Sequence, residues 1–112
     1  DLDQITYANK ITTGMRKINF YNDAETIHNH IRAFSPKPSA WFIYNNERIK
    51  IIKSTFDKGD FETSCIVNKN FHIGCRNGKI CPKIIQREGK QAMTVDLFLR
   101  GFDFEIGNKV NV

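Results

Sequence analysis

The chain has few of the residues that announce a chemistry. Its three cysteines, Cys65, Cys75 and Cys81, are an odd number with no paired spacing. That excludes a disulfide scaffold, fits a reducing cytoplasm, and matches no zinc-ligand pattern. Histidine is as scarce. His28 and His30 lie two apart in a helical stretch, about 200° around the helix, and do not converge on a metal; His72 has no carboxylate near it in sequence. No glycine-rich phosphate loop and no nucleophile elbow is present. No apolar run approaches the length of a membrane span, so no membrane partner is expected. The chain opens on Asp1, so the lack of a leader pattern carries little weight. These absences leave no metal site and no catalytic residue in this stretch.

Acidic residues are the other shortage. Seventeen Lys and Arg face twelve Asp and Glu across 112 residues, giving a net charge of +5 and a pI near 9.2. Between Tyr7 and Tyr21 there is no acidic residue, while Lys10, Arg16 and Lys17 fall in that interval. Such a balance suits a polyanionic partner, RNA or DNA first. The same excess also arises from lysine-rich codon usage and a solvated surface. Further cations stand at Arg32, Lys37, Arg48, Lys50, Lys79, Lys83, Arg87 and Lys90.

The length fits one domain with its own core. Residues 1–21 carry large apolar side chains without a sustained period and read as a basic, extended linker lying on something. The domain proper spans 22–112. The spacing of Ala24, Ile27, Ile31 and Phe34 predicts a helix over about 23–34, capped by Asn22 with Glu25 closing a capping box and ended before Pro36. "SAWFIY" and "RIKIIKST" read as strands joined by a tight turn at Asn45-Asn46. A polar loop, "DKGDFE", leads to a short strand at "SCIV". "FHIGC" and "KICPKIIQ" flank Asn77-Gly78, a second hairpin, with Pro82 marking an edge or a bulge. A short helix over about 95–100 is capped by Thr94 and stopped by Gly101, with Val95, Phe98, Leu99 and Phe102 as its buried stripe. "FEIGNKVNV" then pairs back onto the sheet. Five or six short strands, two hairpins and one small helix near each end specify a mainly β fold: a small, partly open Greek-key barrel of the OB type.

On "RIKIIKST", Arg48 and Lys50 share the solvent face and Ile49 and Ile51 the other. Trp41, Phe42 and Tyr44 have two readings, core packing or a base-stacking platform, and core packing fits better for Trp41 and Phe42.

Several stretches then add up. "TYANKI", "INF", "IRAFSPKPSAWF", "QREGKQAMTVDLFLRG" and "GNKV" occur in the order found in the C-terminal part of methionyl-tRNA formyltransferases. They resemble that family's Tyr-Ala-Pro-Lys, Ile-Asp-Trp, Ile-Arg-Ala-Phe-Asn-Pro-x-Pro and Gly-Lys-Lys-x-Met patterns. Each is weak alone; their order and spacing across nearly the whole chain are specific. The sequence departs from the family at Asn9, Asn19-Phe20, Thr63-Ser64, Lys37 and Gln91. Lys37 adds a cation, and Gln91 removes one.

The resemblance implies an enzyme that moves a formyl group from 10-formyltetrahydrofolate to methionyl initiator tRNA, in translation initiation in a bacterial or organellar setting. Its catalytic residues and folate site belong to an N-terminal Rossmann-like domain that these 112 residues do not match. The segment itself then needs no cofactor, is inactive alone, and works as a cytoplasmic monomer. Its partners would be that catalytic domain and the tRNA. The candidate tRNA contacts are Lys10, Arg16, Lys17, Arg32, Lys37, Arg48, Lys50, Lys83, Arg87 and Lys90. Two other roles share parts of this pattern: the barrel of a sugar-nucleotide or folate formyltransferase-family enzyme, and an independent OB-type module for single-stranded nucleic acid. The last predicts exposed aromatics on the barrel face.

Overall fold

The computed structural model describes residues 12–112. After a single 3-10 turn at Gly14–Arg16, helix α1 runs from Ala24 to Phe34. Its cap is Asp23 rather than Asn22: the Asp23 carboxylate accepts the Thr26 N–H at 2.8 Å. That hydrogen bond holds the Asp23 carboxyl below its usual pKa. With the cap one residue later, Glu25 falls in the first turn and closes no capping box. Ala24, Ile27 and Ile31 are buried, and Glu25, Asn29 and Arg32 are exposed, as the helical spacing requires. The Ser35-Pro36 and Lys37-Pro38 bonds are cis, and the chain turns there into strand β1, Ala40–Tyr44.

Asn45 and Asn46 both adopt positive φ, 52° and 65°, the conformation of a two-residue type I′ turn. They hand the chain to β2, Glu47–Lys58, which is longer than its apolar run suggests. The residues Asp57 and Lys58, read from sequence as loop, pair with Lys79 and Gly78. The expected strand at "SCIV" is two isolated bridges, Cys65 to Lys109 and Ile66 to Ile73, because Ser64 at φ 59° and Phe71 at φ 64° break the extended run on either side. Strand β3 is therefore only Ile73–Cys75, and β4 spans Gly78–Arg87. The loop between them is Arg76-Asn77, one residue earlier than the asparagine-glycine pair suggests. Gly78 is needed for another reason: a Cβ there would collide with the Asp57 carbonyl and lie 3.0 Å from the Ala24 Cβ.

Pro82 is not on an edge. β4 is central, and Pro82 sits where the β2–β4 register shifts, with Ile52 and Lys83 each passed over by the pairing. Strand β5, Met93–Thr94, was not apparent in sequence; helix α2, Val95–Gly101, follows it, with Thr94 accepting the Leu97 N–H. The sheet order is β1-β2-β4-β3, with β5 also on β4. The antiparallel sheet curls into a half-barrel, the mainly β, OB-like architecture expected.

Inside the curl lie Ala40, Phe42, Tyr44, Ile49, Ile51, Ile73, Ile80 and Ile85, covered by the buried side of α1. Phe71 closes the other end, fully buried, with five aromatic rings within 6.1 Å of its own: Phe42, Tyr44, Phe98, Phe102 and Phe104. Ile18 and Phe20, from the stretch read as linker, belong to the same core. The C-terminal segment returns to the sheet as expected, through Asn111. Its amide N donates to the Ile43 carbonyl (2.7 Å), its Oδ1 accepts the Ile43 N–H (2.9 Å), and its Nδ2 donates to the Ile18 carbonyl (2.9 Å). No helix among the described residues is long and apolar enough to cross a membrane.

Candidate nucleic-acid interface

Strand alternation decides which side chains leave the core. On β1, Ala40, Phe42 and Tyr44 point inward, so Trp41 and Ile43 point out. On β2, Ile49 and Ile51 point inward, so Arg48 and Lys50 point out beside them. Lys50 lies opposite Trp41 on one side and Gln86 of β4 on the other. The outer face of β1-β2-β4 thus carries a row of Trp41, Lys50 and Gln86, with Arg48 one pair along.

The segment before α1 lies on this face. The Trp41 Nε1–H donates to the Thr13 carbonyl (2.9 Å), and Ile18 N donates to the Trp41 carbonyl (2.8 Å). Arg16 Nη1 donates to the carbonyls of Pro38 (3.1 Å) and Ser39 (2.8 Å), tying the segment to the proline turn. His30 Nε2 holds the Met15 carbonyl at 3.0 Å. Over the Trp41 ring sit two cations: the Arg48 guanidinium 4.2 Å and the Lys17 ammonium 5.7 Å from its centroid.

Two shallow clefts continue the row. Arg16, Lys37 and the prolines meet Lys50 and Gln86 in one; Arg48, Lys50 and Gln86 meet the Arg87–Gly89 turn in the other. Five sequence candidates, Arg16, Lys17, Lys37, Arg48 and Lys50, therefore share one flank. Lys90 borders it, its carbonyl accepting from Gln86 Nε2 at 2.7 Å. One carboxylate intrudes: Glu88 accepts the Arg48 backbone N–H at 3.1 Å.

The other candidates are elsewhere. Arg32 lines a groove between α1 and the β2 bulge, with His28, Lys53 and Ser54. Lys83 stands in the β4 bulge and its charge, with that of Lys79, adds to the effect of burial in lowering the His72 pKa. Arg87 lies opposite Ile49, and its Nε and Nη2 donate to the Glu47 carboxylate at 2.9 and 3.0 Å. Its guanidinium also lies 4.8 Å over Phe102, and the fork holds the Glu47 carboxyl below its usual range. Lys10 falls outside the described residues.

His28 and His72 are engaged in the fold. His28 Nδ1 lies 3.1 Å from the Ser54 hydroxyl, and Asn68 Nδ2 lies 3.0 Å from His72 Nδ1. All three cysteines are buried, and burial pushes the Cys75 thiol up to about 11. Among the described residues no three His, Cys, Asp or Glu side chains gather to hold a metal. Trp41, Phe42 and Tyr44 are 6%, 0% and 3% exposed, so none of them offers a face to a base.

Sequence reasoning missed two participants. Trp41 is buried, but beneath the cations of the outer face rather than in the inner core; its alternation with Phe42 carried that signal. Gln86 could not be placed beside Lys50 without the β2–β4 register.

The profile of the family described as "Formyl transferase, C-terminal domain" matches residues 10–103. The chain is 34% identical over 108 residues to the methionyl-tRNA formyltransferase of Rickettsia bellii, covering 95% of this chain and 36% of that protein. It is 37% identical over 99 residues to that of Rickettsia prowazekii, covering 87% of this chain and 33% of that protein. The chain thus spans about a third of the length of the curated relatives it matches.

Proposed function

Since this chain belongs to the formyl transferase C-terminal domain family, we propose that it is the tRNA-holding barrel of a methionyl-tRNA formyltransferase. In this reading the whole enzyme carries a formyl group from 10-formyltetrahydrofolate to the methionyl amino group of initiator tRNA in the bacterial cytoplasm. The chemistry belongs to a separate catalytic domain. The barrel contributes position, holding the body of the tRNA so that its aminoacyl end reaches the reacting groups already oriented.

One observation carries the reading: Arg16, Lys17, Lys37, Arg48 and Lys50 lie on a single flank, with Glu88 as the carboxylate among them. Cations so arranged suit a sugar-phosphate backbone, and phosphate contacts fix register without reading sequence. A single-stranded OB module is disfavoured because the aromatics it needs are covered. A barrel that only shapes a sugar or folate active site has no use for such a strip.

The test is binding of the 112-residue chain to initiator tRNA across a salt series, with unstructured RNA as control. Each neutralised phosphate contributes a slope of about −0.9 in log K against log salt. Replacing Lys37 and Lys50 together by alanine should therefore flatten the slope by about 2. Replacing Arg32 and Lys53, which line the separate groove beside α1, should leave it unchanged. A slope near zero, or an equal effect from both pairs, overturns the proposal.

A further inference from the structure

Gln86 is out of character with its surroundings. It lines both clefts of the strip, where its neighbours include the cations Arg16, Lys37, Arg48 and Lys50. Such side chains can only donate. Gln86 has two ends. Its Nε2 donates to the Lys90 carbonyl at 2.7 Å, and only the amino end of an amide can sit that close to a carbonyl oxygen. That bond turns the side chain back along its own strand and decides which atom is left over. The remaining atom is Oε1, an acceptor to which no described residue donates. The side-chain carboxylate and the proline-turn carbonyls nearby already have donors. The Pro38 and Ser39 carbonyls take the Arg16 guanidinium, and the Glu88 carboxylate takes the Arg48 N–H.

A lone neutral acceptor beside phosphate-binding cations needs a donor that lies next to a phosphate in the ligand. A nucleic-acid backbone offers one such group, and only when the sugar is ribose. The 2′-hydroxyl is on the carbon adjacent to the one bearing the 3′ phosphate. DNA has a hydrogen at that position. Base-edge amines also donate, but they lie in the grooves, away from the rail. Lys50 and Gln86 are direct cross-strand partners, so their side chains leave the sheet about 5 Å apart. With Lys50 on a phosphate, that spacing lets Gln86 Oε1 reach the neighbouring ribose.

We propose that Gln86 is a specificity-determining residue of the strip: its Oε1 accepts from a ribose 2′-hydroxyl and lets a surface that grips any phosphate rail prefer RNA to DNA. This is the general means by which a protein tells the two apart. The proposal rests on the reading of the strip as a nucleic-acid interface. It adds a discrimination that the cations cannot supply. The Lys90 carbonyl acts as a positioning group, because it sets the direction of the amide.

The experiment compares binding of the chain to an RNA hairpin, to the same hairpin in DNA, and to each across a salt series. Wild type should prefer RNA by roughly fivefold, the worth of one net hydrogen bond. Gln86→Met keeps the length and the apolar stem but removes both ends of the amide, the acceptor and the donor to Lys90. It should lose that preference by weakening RNA binding alone, with DNA affinity and both salt slopes unchanged and the melting temperature lowered by no more than about 5 °C. Gln86→Glu keeps an acceptor but puts a negative charge beside the Lys90 carbonyl and the rail, and should weaken both ligands. If wild type binds RNA and DNA equally, or Gln86→Met weakens both alike, the assignment of Gln86 is wrong while the strip stands. If neither ligand binds with a salt slope, the strip reading itself fails and takes this one with it.

Discussion

Replacing Arg87 by alanine should cost stability and leave RNA binding alone. Charge and sequence alone make Arg87 a phosphate contact. In the structure its guanidinium is held from two sides. Nε and Nη2 donate to both oxygens of Glu47, with the two side chains only 27% and 24% exposed. Its flat face lies 4.8 Å over Phe102, part of the aromatic plug that closes the barrel. Hydrogen bonds to charged groups contribute about 1.5–3 kcal/mol, and partial exposure places this pair toward the lower figure. The stacking adds about 0.5–1 kcal/mol. Loss of both gives ~2 kcal/mol, or roughly 10 °C in melting temperature for a domain of this size. Arg87→Lys should restore less than half, because an ammonium cannot reproduce the fork.

The cost should also depend on pH in a definite direction. The fork holds the folded Glu47 carboxyl below its usual 4.5. Its stabilisation is therefore full above that value and is lost as pH falls through the lower folded pKa. Urea midpoints read by Trp41 fluorescence should separate wild type from Arg87→Ala at pH 7 and converge in acid. A variant that melts within about 1 °C of wild type and instead flattens the RNA salt slope by about 1 would show that Arg87 grips phosphate and that the ion pair is incidental.

Two further outcomes follow from the packing. Gly78→Ala should destabilise by about 2–3 kcal/mol, since its Cβ meets the Asp57 backbone with no room to move. Gly101→Ala, in the last turn of α2 with open space around it, should be neutral or stabilising by about 0.5 kcal/mol; chemical denaturation of the pair checks both, and equal costs would contradict the packing. His72 is held neutral by burial and by the nearby Lys79 and Lys83, with Asp57 opposing, so its folded pKa lies below 6.5. Its contribution is intact above that pH and declines as pH falls below it. His72→Gln should flatten the stability curve between pH 7.5 and 5, and an unchanged curve would remove His72 as a cause.

Much of the fold is written locally. The 3-4-3 spacing of Ala24, Ile27, Ile31 and Phe34 fixes α1, and the two asparagines fix the β1–β2 turn. The N-cap moved by one residue because Asn22 and Asp23 are both competent caps, and only the backbone decides between them. β2 outran its apolar stretch because Asp57 and Lys58 pair with Lys79 and Gly78, a long-range match invisible in a polar run. Phe71, at the hub of five rings, reads in sequence as an ordinary strand residue; its φ of 64° takes it out of the strand.

The basic strip was half legible. Alternation gave Arg48 and Lys50. Nothing local separates Lys37 from Arg32, five positions apart, yet the corner after α1 sends one to the strip and leaves the other in a separate groove. Glu47 claims Arg87 from 40 residues away, a pairing that needs the register.

β1 is the outermost strand of its sheet, and outermost strands invite copies of themselves. Here that side is closed by two short pieces from far apart in the chain. Ile18 takes the Trp41 carbonyl, and Asn111 takes both the N–H and the carbonyl of Ile43 while fastening itself to Ile18. One residue, through its backbone N–H and its side-chain amide together, thus latches an edge that would otherwise be open to another strand. Loss of the Asn111 side chain would return the Ile43 N–H to the open edge.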